Sequence, residues 1–162
     1  MINIHPSAKI SPLSDIEDSM RGSQVNIGAL SMVDSFVKIK FSGGIGDVII
    51  GSSVYINSGC VLYSGNGIKI GDNVAIAANV VFAPVNHEFN QKGTLIREQG
   101  FKPSKGGILI EDDVWIGAGS ILLDGSILRQ GCVIGAMSLV RGEVPAYSIH
   151  VGNPMQLLGW RK

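Results

Sequence analysis

Aliphatic residues return along this chain at every sixth position. Counted from Ile110, the hexads run IEDDVW, IGAGSI, LLDGSI, LRQGCV, IGAMSL and VRGEVP, each opened by Ile, Leu or Val. Four places after the opening residues stand Val114, Ser120, Ser126, Cys132, Ser138 and Val144, all small or β-branched. Upstream the frame returns as IGSSVY, INSGCV and LYSGNG from Ile50, as IGDNVA, IAANVV and FAPVNH from Ile70, and more faintly from Ile4 and Ile27. A helix repeats at 3.6 and a strand at 2, so neither explains a period of six. A short strand with a tight corner does. One aliphatic side chain points inward as the strand opens, a small one points inward before the corner, and Gly, Asn and Asp supply the corner's backbone. The 22 glycines are expected at those corners.

Three such legs close a triangular coil, and stacked coils pair their strands in parallel at a spacing of about 4.8 Å. Ile110 and Leu128 are 18 residues apart, one complete coil. Ile50 to Ile70 is 20, Ile4 to Ile27 and Ile27 to Ile50 are 23 each, and Ile70 to Ile110 is 40. The spacing therefore predicts an all-β domain, a parallel β-helix of about six coils with one long excursion. Residues 1–49 form irregular first coils, 50–85 and 108–145 regular coils, 86–107 a loop and 146–162 a C-terminal tail. The hexad Phe82 to His87 reads as the last of its coil, so the chain is expected to leave the stack only after His87. Loops this long inside a compact domain are functional or disordered. Phe89, Leu95, Ile96 and Phe101 interspersed with Arg97, Lys102 and Lys105 point to an ordered binding loop.

Composition narrows the function classes. The formal net charge is zero, with 16% charged and 45% hydrophobic residues. That gives no electrostatic basis for a nucleic-acid or anionic-membrane partner. No apolar run approaches the roughly 20 residues that span a bilayer, and MINIHPSAKISPLS has no basic-then-apolar leader pattern, so a cytoplasmic protein without membrane insertion is expected. Cys60 and Cys132 match neither a zinc cluster nor a disulfide scaffold and read as buried thiols in a reducing compartment.

The repeats, the histidine opening the loop, IEDDVWIGAG, VIGAMSLVRGEVP and the closing SIHVGNP together resemble the hexapeptide-repeat acyltransferases, from about Val48 to Leu158. The likeness is greatest to galactoside and maltose O-acetyltransferases and to enzymes that acetylate surface polysaccharides. It implies a left-handed β-helix, although parallel crossovers are ordinarily right-handed and spacing alone gives no left hand. It also implies acetyl-CoA as co-substrate, a sugar or glycan acceptor, no metal, and a homotrimer with active sites between subunits. In that family the loop histidine, here His87, is the catalytic base. The chemistry suits it: a sugar hydroxyl is a poor nucleophile until its proton leaves, and imidazole titrates near neutrality.

By the same resemblance Asn57, in VYINSG, lies beside the acceptor. Trp115 lines the channel near the acetyl group, and the N–H of Ala118 meets the thioester carbonyl. Gly135 and Ala136 offer backbone groups to the pantetheine arm, and Arg141 and Arg161 stand where cations meet the coenzyme's phosphates. The chain departs from the family in three places. Ser64 and Gly65 replace an acidic acceptor contact, Val140 replaces a threonine, and Gln156 replaces a tail cation. The acceptor is therefore left open.

Three rival readings can be weighed. A zinc site like that of the γ-type carbonic anhydrases needs three converging histidines. His5, His87 and His150 belong to different coils and would be separated by roughly 14 Å or more along the stack, far beyond zinc bonds of about 2 Å. His5 and His150 read as structural or solvent-exposed. An N-acetyltransferase of an amino-sugar nucleotide would share fold and coenzyme groove, but an amine depends less on a base. A non-catalytic β-helix scaffold would not bind coenzyme A.

Overall fold

The computed structural model describes residues 1–162. Three parallel sheets form the faces of a triangular prism, a left-handed β-helix. The first face runs through Ile2–Ile4, Val25–Ile27, Val48–Ile50, Ile68–Ile70, Ile108–Ile110, Ser126–Leu128 and Glu143–Val144. The second runs from Lys9–Ile10 through Met32–Val33, Tyr55–Ile56, Ala75–Ile76, Trp115–Ile116 and Val133–Ile134 to Ser148–Val151. The third carries Asp15–Ile16, Lys38–Lys40, Val61–Tyr63, Val81–Ala83, Ile121–Leu123 and Leu139–Val140. Six coils are complete and a seventh has two faces. The tail then turns back, and Gln156–Trp160 pairs antiparallel with Ser148–Val151.

All 27 core residues fall in six inward columns, the hexad openers and the residues two places before them. Toward the C-terminus the small columns turn from valine to serine without leaving a polar group stranded. Ser126, Ser138 and Ser148 are buried, and each hydroxyl donates to the carbonyl three residues earlier at 2.6 Å. A hydroxyl at that hexad position therefore staples its own corner, which makes serine as usable there as valine.

The spacing between inward columns is invariant at two corners and free at the third. From first to second face every step is six residues, from Ile4 to Ile10 through Val144 to His150. From second to third face every step is again six, from Ile10 to Ile16 through Ile134 to Val140. From third back to first face the steps are 11 (Ile16 to Ile27), 11 (Ile39 to Ile50), 8 (Leu62 to Ile70), 28 (Phe82 to Ile110), 6 (Leu122 to Leu128) and 4 (Val140 to Val144). Every irregularity of the sequence repeat is thus collected on one edge of the prism.

The glycines do less conformational work than the sequence implied. Eight left-handed positions are filled by Leu30, Phe36, Ser53, Asn73, Asn79, Asp113, Met137 and Tyr147, with φ of 56–64°. Several corner glycines serve close approach instead. A Cβ on Gly117 would lie 2.4 Å from the amide nitrogen of Ala136, one coil away. Coil stacking, not backbone φ, demands glycine there.

Candidate active site

The chain leaves the prism earlier than the hexad frame predicts. Phe82 and Pro84 are buried and the Pro84 carbonyl still accepts the Asn66 N–H at 3.2 Å, but beyond Val85 no backbone group bonds to the backbone of the stack until Gly107. His87 is therefore not the end of the last hexad. It sits on a short antiparallel ribbon at the root of the loop, where Lys102 N donates to Asn86 O at 2.8 Å and Glu88 N to Gly100 O at 3.0 Å. Opposite one another on this ribbon, the His87 and Phe101 rings lie 4.7 Å apart between centroids, tilted by 41°. The sixth hexad position faces outward, as Trp115 does, so an imidazole there fits either path, and it is the ribbon pairing of Asn86 and Glu88 with Lys102 and Gly100 that takes the chain off the stack.

The loop orders itself. The Gln99 side chain donates to the carbonyls of Gln91 and Thr94 at 3.0 and 2.8 Å, and its oxygen accepts the Gln91 N–H at 3.0 Å. The Glu88 carboxylate accepts the N–H groups of Phe89 and Asn90, which hold its pKa below the usual carboxylate range. The Lys102 ammonium lies 3.8 Å above the Phe89 ring centroid. A single 3₁₀ turn, Ile96–Glu98, spans the tip. The return strand is pinned by Asp124 of the next coil. Its Oδ2 accepts the Lys105 N–H at 2.8 Å and the Asn66 carboxamide at 3.1 Å, and its Oδ1 accepts the Gly107 N–H at 2.9 Å.

The three histidines differ in what their rings can do. His5 Nδ1 is bonded to Ser7, and His150 Nδ1 faces the Ser148 hydroxyl at 3.1 Å. His150 aligns with Ile134 and ends the inward column of the second face, and burial pushes its pKa down. The His87 ring is exposed and makes no hydrogen bond within the chain, so both nitrogens are open to a ligand.

Trp115 projects from the second face with 53% of its surface exposed, between Ala75 and Val133 in register. Ala118 stands on the second corner, where its carbonyl accepts the Met137 N–H at 2.8 Å while its own N–H has no partner in the chain. The same donor is free at Ser58, Ala78 and Ala136, so the open N–H belongs to the corner in the last four complete coils, whereas Pro12 has none and the Ser35 N–H is given to Asp34 Oδ1. Ala136 also keeps its carbonyl free. Gly135 does not share this freedom: its N–H is given to His150 O at 2.7 Å and its carbonyl accepts the Ser138 hydroxyl. Asn57 is exposed at the same corner, and its carboxamide donates to Ile76 O at 2.7 Å, leaving the oxygen available.

The two cations separate. Arg161 is held at the first corner, its guanidinium on the Asp113 carboxylate at 2.8 Å and on Gly131 O at 2.9 Å. Arg141 makes no ion pair and lines a cleft at the third corner with Asn86, Lys102, Lys105 and Asp124. His87 and Ala118 lie at opposite ends of the third face, so one chain does not unite them. Ser64 is fully buried with an unpartnered hydroxyl and cannot meet an acceptor. Phe101, Lys102, Lys105 and Asp124 are the site residues that sequence reasoning did not assign. The only signal for Asp124 was its position before Gly125 in LLDGS, which reads as an ordinary corner.

Residues 107–142 match the family model described as bacterial transferase hexapeptide (six repeats). A galactoside O-acetyltransferase of Lactococcus lactis is 31% identical over 121 residues, which cover 74% of this chain and 56% of that protein. The chain spans 37% to 60% of the length of the curated relatives it matches. Among solved structures, a mutant of AntD, an N-acyltransferase from Bacillus cereus, in complex with dTDP-4-amino-4,6-dideoxyglucose and coenzyme A, superposes with a TM-score of 0.83 at 27% identity. That match covers 99% of this chain and 84% of the other. A maltose O-acetyltransferase from Clostridium difficile shares the fold, with a TM-score of 0.65 at 22% identity over 97% of this chain and 68% of the other.

Proposed function

The chain belongs to the hexapeptide-repeat transferase family, and from that membership we propose that it is an acetyl-CoA-dependent O-acetyltransferase acting on a sugar hydroxyl. Its setting would be surface-polysaccharide metabolism in the cytoplasm. The observation that carries the reading is the His87 ring: exposed, packed at a tilt against Phe101, free of hydrogen bonds and mounted on a ribbon at the root of a loop whose return segment Asp124 holds at Lys105 and Gly107.

In the mechanism, a ring nitrogen of His87 takes the proton of the sugar hydroxyl as its oxygen attacks the acetyl carbonyl carbon. The carbonyl oxygen becomes an oxyanion, and the free N–H of Ala118 is available to it. A preset donor of this kind contributes several kcal/mol in other enzymes. Collapse re-forms the carbonyl, breaks the carbon–sulfur bond and expels the coenzyme thiolate, which takes the proton back from the imidazolium. Acetyl ester and thiol are the products, and the base is restored. The exposed Asn57 oxygen is suited to orienting an acceptor hydroxyl, and the free N–H and carbonyl of Ala136 to bonding an amide of the pantetheine arm.

Since His87 and Ala118 stand at opposite ends of one face, the reading requires a neighbouring chain, and a homotrimer with sites between subunits supplies it. Two outward columns favour such contact: Met32, Tyr55, Ala75, Trp115, Val133 and Ile149 on the second face, and Val61, Val81, Ile121 and Leu139 on the third. An active monomer by sedimentation would defeat this part.

The test of the whole is thiol release from acetyl-CoA against a panel of sugars and glycan precursors, with His87→Ala as control. Equal turnover in both proteins would remove the proposal. A second reading, N-acylation of an amino-sugar nucleotide, draws on the likeness to AntD; it is favoured if His87→Ala keeps most activity toward an amine. A non-catalytic scaffold is favoured if millimolar coenzyme A leaves the melting temperature unchanged.

A further inference from the structure

We propose that the cleft between the loop root and the last two turns of the third corner is a binding site for a diphosphate group. The inference rests on the transferase reading, because both kinds of reactant in that chemistry, coenzyme A and nucleotide-linked sugars, carry a diphosphate.

The cleft encloses about 370 Å³, within the size range of small-molecule sites. Lys102 and Lys105 enter it from the loop and Arg141 from the prism, with Asn86 beside them. The chain's ion pairs use Lys40, Arg129, Arg161 and the N-terminus, and none uses these three cations. One carboxylate lines the cleft, Asp124, and its oxygens already accept three N–H donors. Lys105 and Arg141 outside any ion pair, with Lys102 beside them on the Phe89 ring, face one carboxylate whose oxygens are already hydrogen-bonded, which leaves a concave, positively charged spot on a chain whose formal net charge is zero. A lone monoanion would leave part of this charge uncompensated, whereas a diphosphate brings several anionic oxygens. Arginine receives such oxygens through its planar fork and lysine as a point charge.

Position gives the site its consequence. Asn86 adjoins His87 and Lys102 adjoins Phe101, so the cleft and the imidazole share one two-stranded ribbon. A diphosphate held by Lys102 and Lys105 on one side and Arg141 on the other ties the loop to the coils. Ligand binding and placement of His87 are thereby linked. Arg141 then meets phosphate at the loop's corner, apart from the second corner that carries Ala118 and Ala136.

Titration calorimetry of the full chain with sodium pyrophosphate tests this. The wild-type protein is expected to bind it, more weakly as ionic strength rises. Lys105→Gln combined with Arg141→Gln is expected to weaken binding at least tenfold without changing the ligand-free melting temperature. Lys102→Gln alone gives an independent, smaller loss. No binding by wild type at millimolar pyrophosphate, or equal binding by wild type and the double variant, overturns the site. dTDP and coenzyme A then identify the source. A tenfold loss confined to dTDP assigns the diphosphate to a nucleotide-linked acceptor, and one confined to coenzyme A assigns it to the donor. Pyrophosphate binding needs no turnover, so an inactive protein that still binds it sinks the transferase reading alone. An active enzyme whose pyrophosphate binding ignores the double variant sinks the site alone.

Discussion

The first two corners of the prism repeat at six residues in every coil, while the third ranges from a step of 4 to a step of 28. At the regular corners each backbone rests on the next, as Gly117 does on Ala136 and Gly51 on Gly71, so an added atom has no place to go. At the third corner some glycines still rest on the next coil, as Gly44 does on Gly65 and Gly46 on Gly67, but others are free to loop outward: a Cβ on Gly22, Gly106 or Gly142 would meet nothing within 4 Å. The excursion that carries His87 grows from that corner. Tight stacking sets the frame, and slack at one edge leaves room for chemistry.

The strongest way to break this contrast is a paired insertion. One alanine inserted after Gly117 shifts the third face by one residue and turns Leu122 outward, since side chains alternate along a strand. No cooperative melt is expected by circular dichroism. The same insertion after Met20, a fully exposed third-corner residue, only lengthens an open loop, where closure entropy costs well under about 1 kcal/mol. Equal damage from both would contradict the contrast.

Chemistry tests the other half. His87→Ala is expected to lower turnover by about 10²–10⁴-fold, with the melting temperature and its rise on adding coenzyme A unchanged. A fall in the ligand-free melting temperature would make His87 structural and return function to the regular corners.

Asp124 joins the two regimes, since it belongs to the prism and holds the loop. Asp124→Ala removes the acceptor for the N–H groups of Lys105 and Gly107, and such a loss costs about 1–3 kcal/mol. Protease cleavage between residues 86 and 107 should accelerate, and kcat should fall with little change in the KM for acetyl-CoA. Asp124→Asn, which keeps an acceptor oxygen, should recover part of both. Unchanged cleavage would mean that the loop holds itself.

The smallest effect concerns the end of the prism. Burial favours neutral His150 in the fold, so the unfolded chain binds the extra proton as pH falls. The stability due to neutral His150 is complete above the unfolded value of about 6.5 and is lost as pH drops through the lower folded value. His150→Leu should flatten the melting temperature across that window. The Arg129-paired carboxylates Glu111 and Glu143, whose pKa values lie below their ordinary range, lose their contribution only at lower pH. An identical slope in wild type and variant would show that the imidazole is solvated in the fold.

The columns of the core were legible because each inward position repeats: the spacing of Ile110, Ile116 and Leu122 is enough to announce three faces. The burial of Cys60 and Cys132 followed from the same frame, and burial raises their thiols to about 11 and about 12. His87 was legible through resemblance, not through spacing, and its support was misread. FAPVNH keeps the six-residue frame to the end, yet the hydrogen bonds show the prism releasing the chain before the histidine. A frame records side-chain size, and where backbone pairing stops leaves no mark in it.

By itself the sequence determined the number of coils, the inward columns and the place of the long excursion, because stacking imposes the same local demand again and again. Only the tertiary structure decided which corner gathers the irregular spacing. It also decided that Asp124 clamps residues 17 and 19 positions away, and that Lys102, Lys105 and Arg141 share one cleft while Arg161 is spent on Asp113. Those relations join residues from different coils. No periodic signal encodes them, since each pairing occurs once.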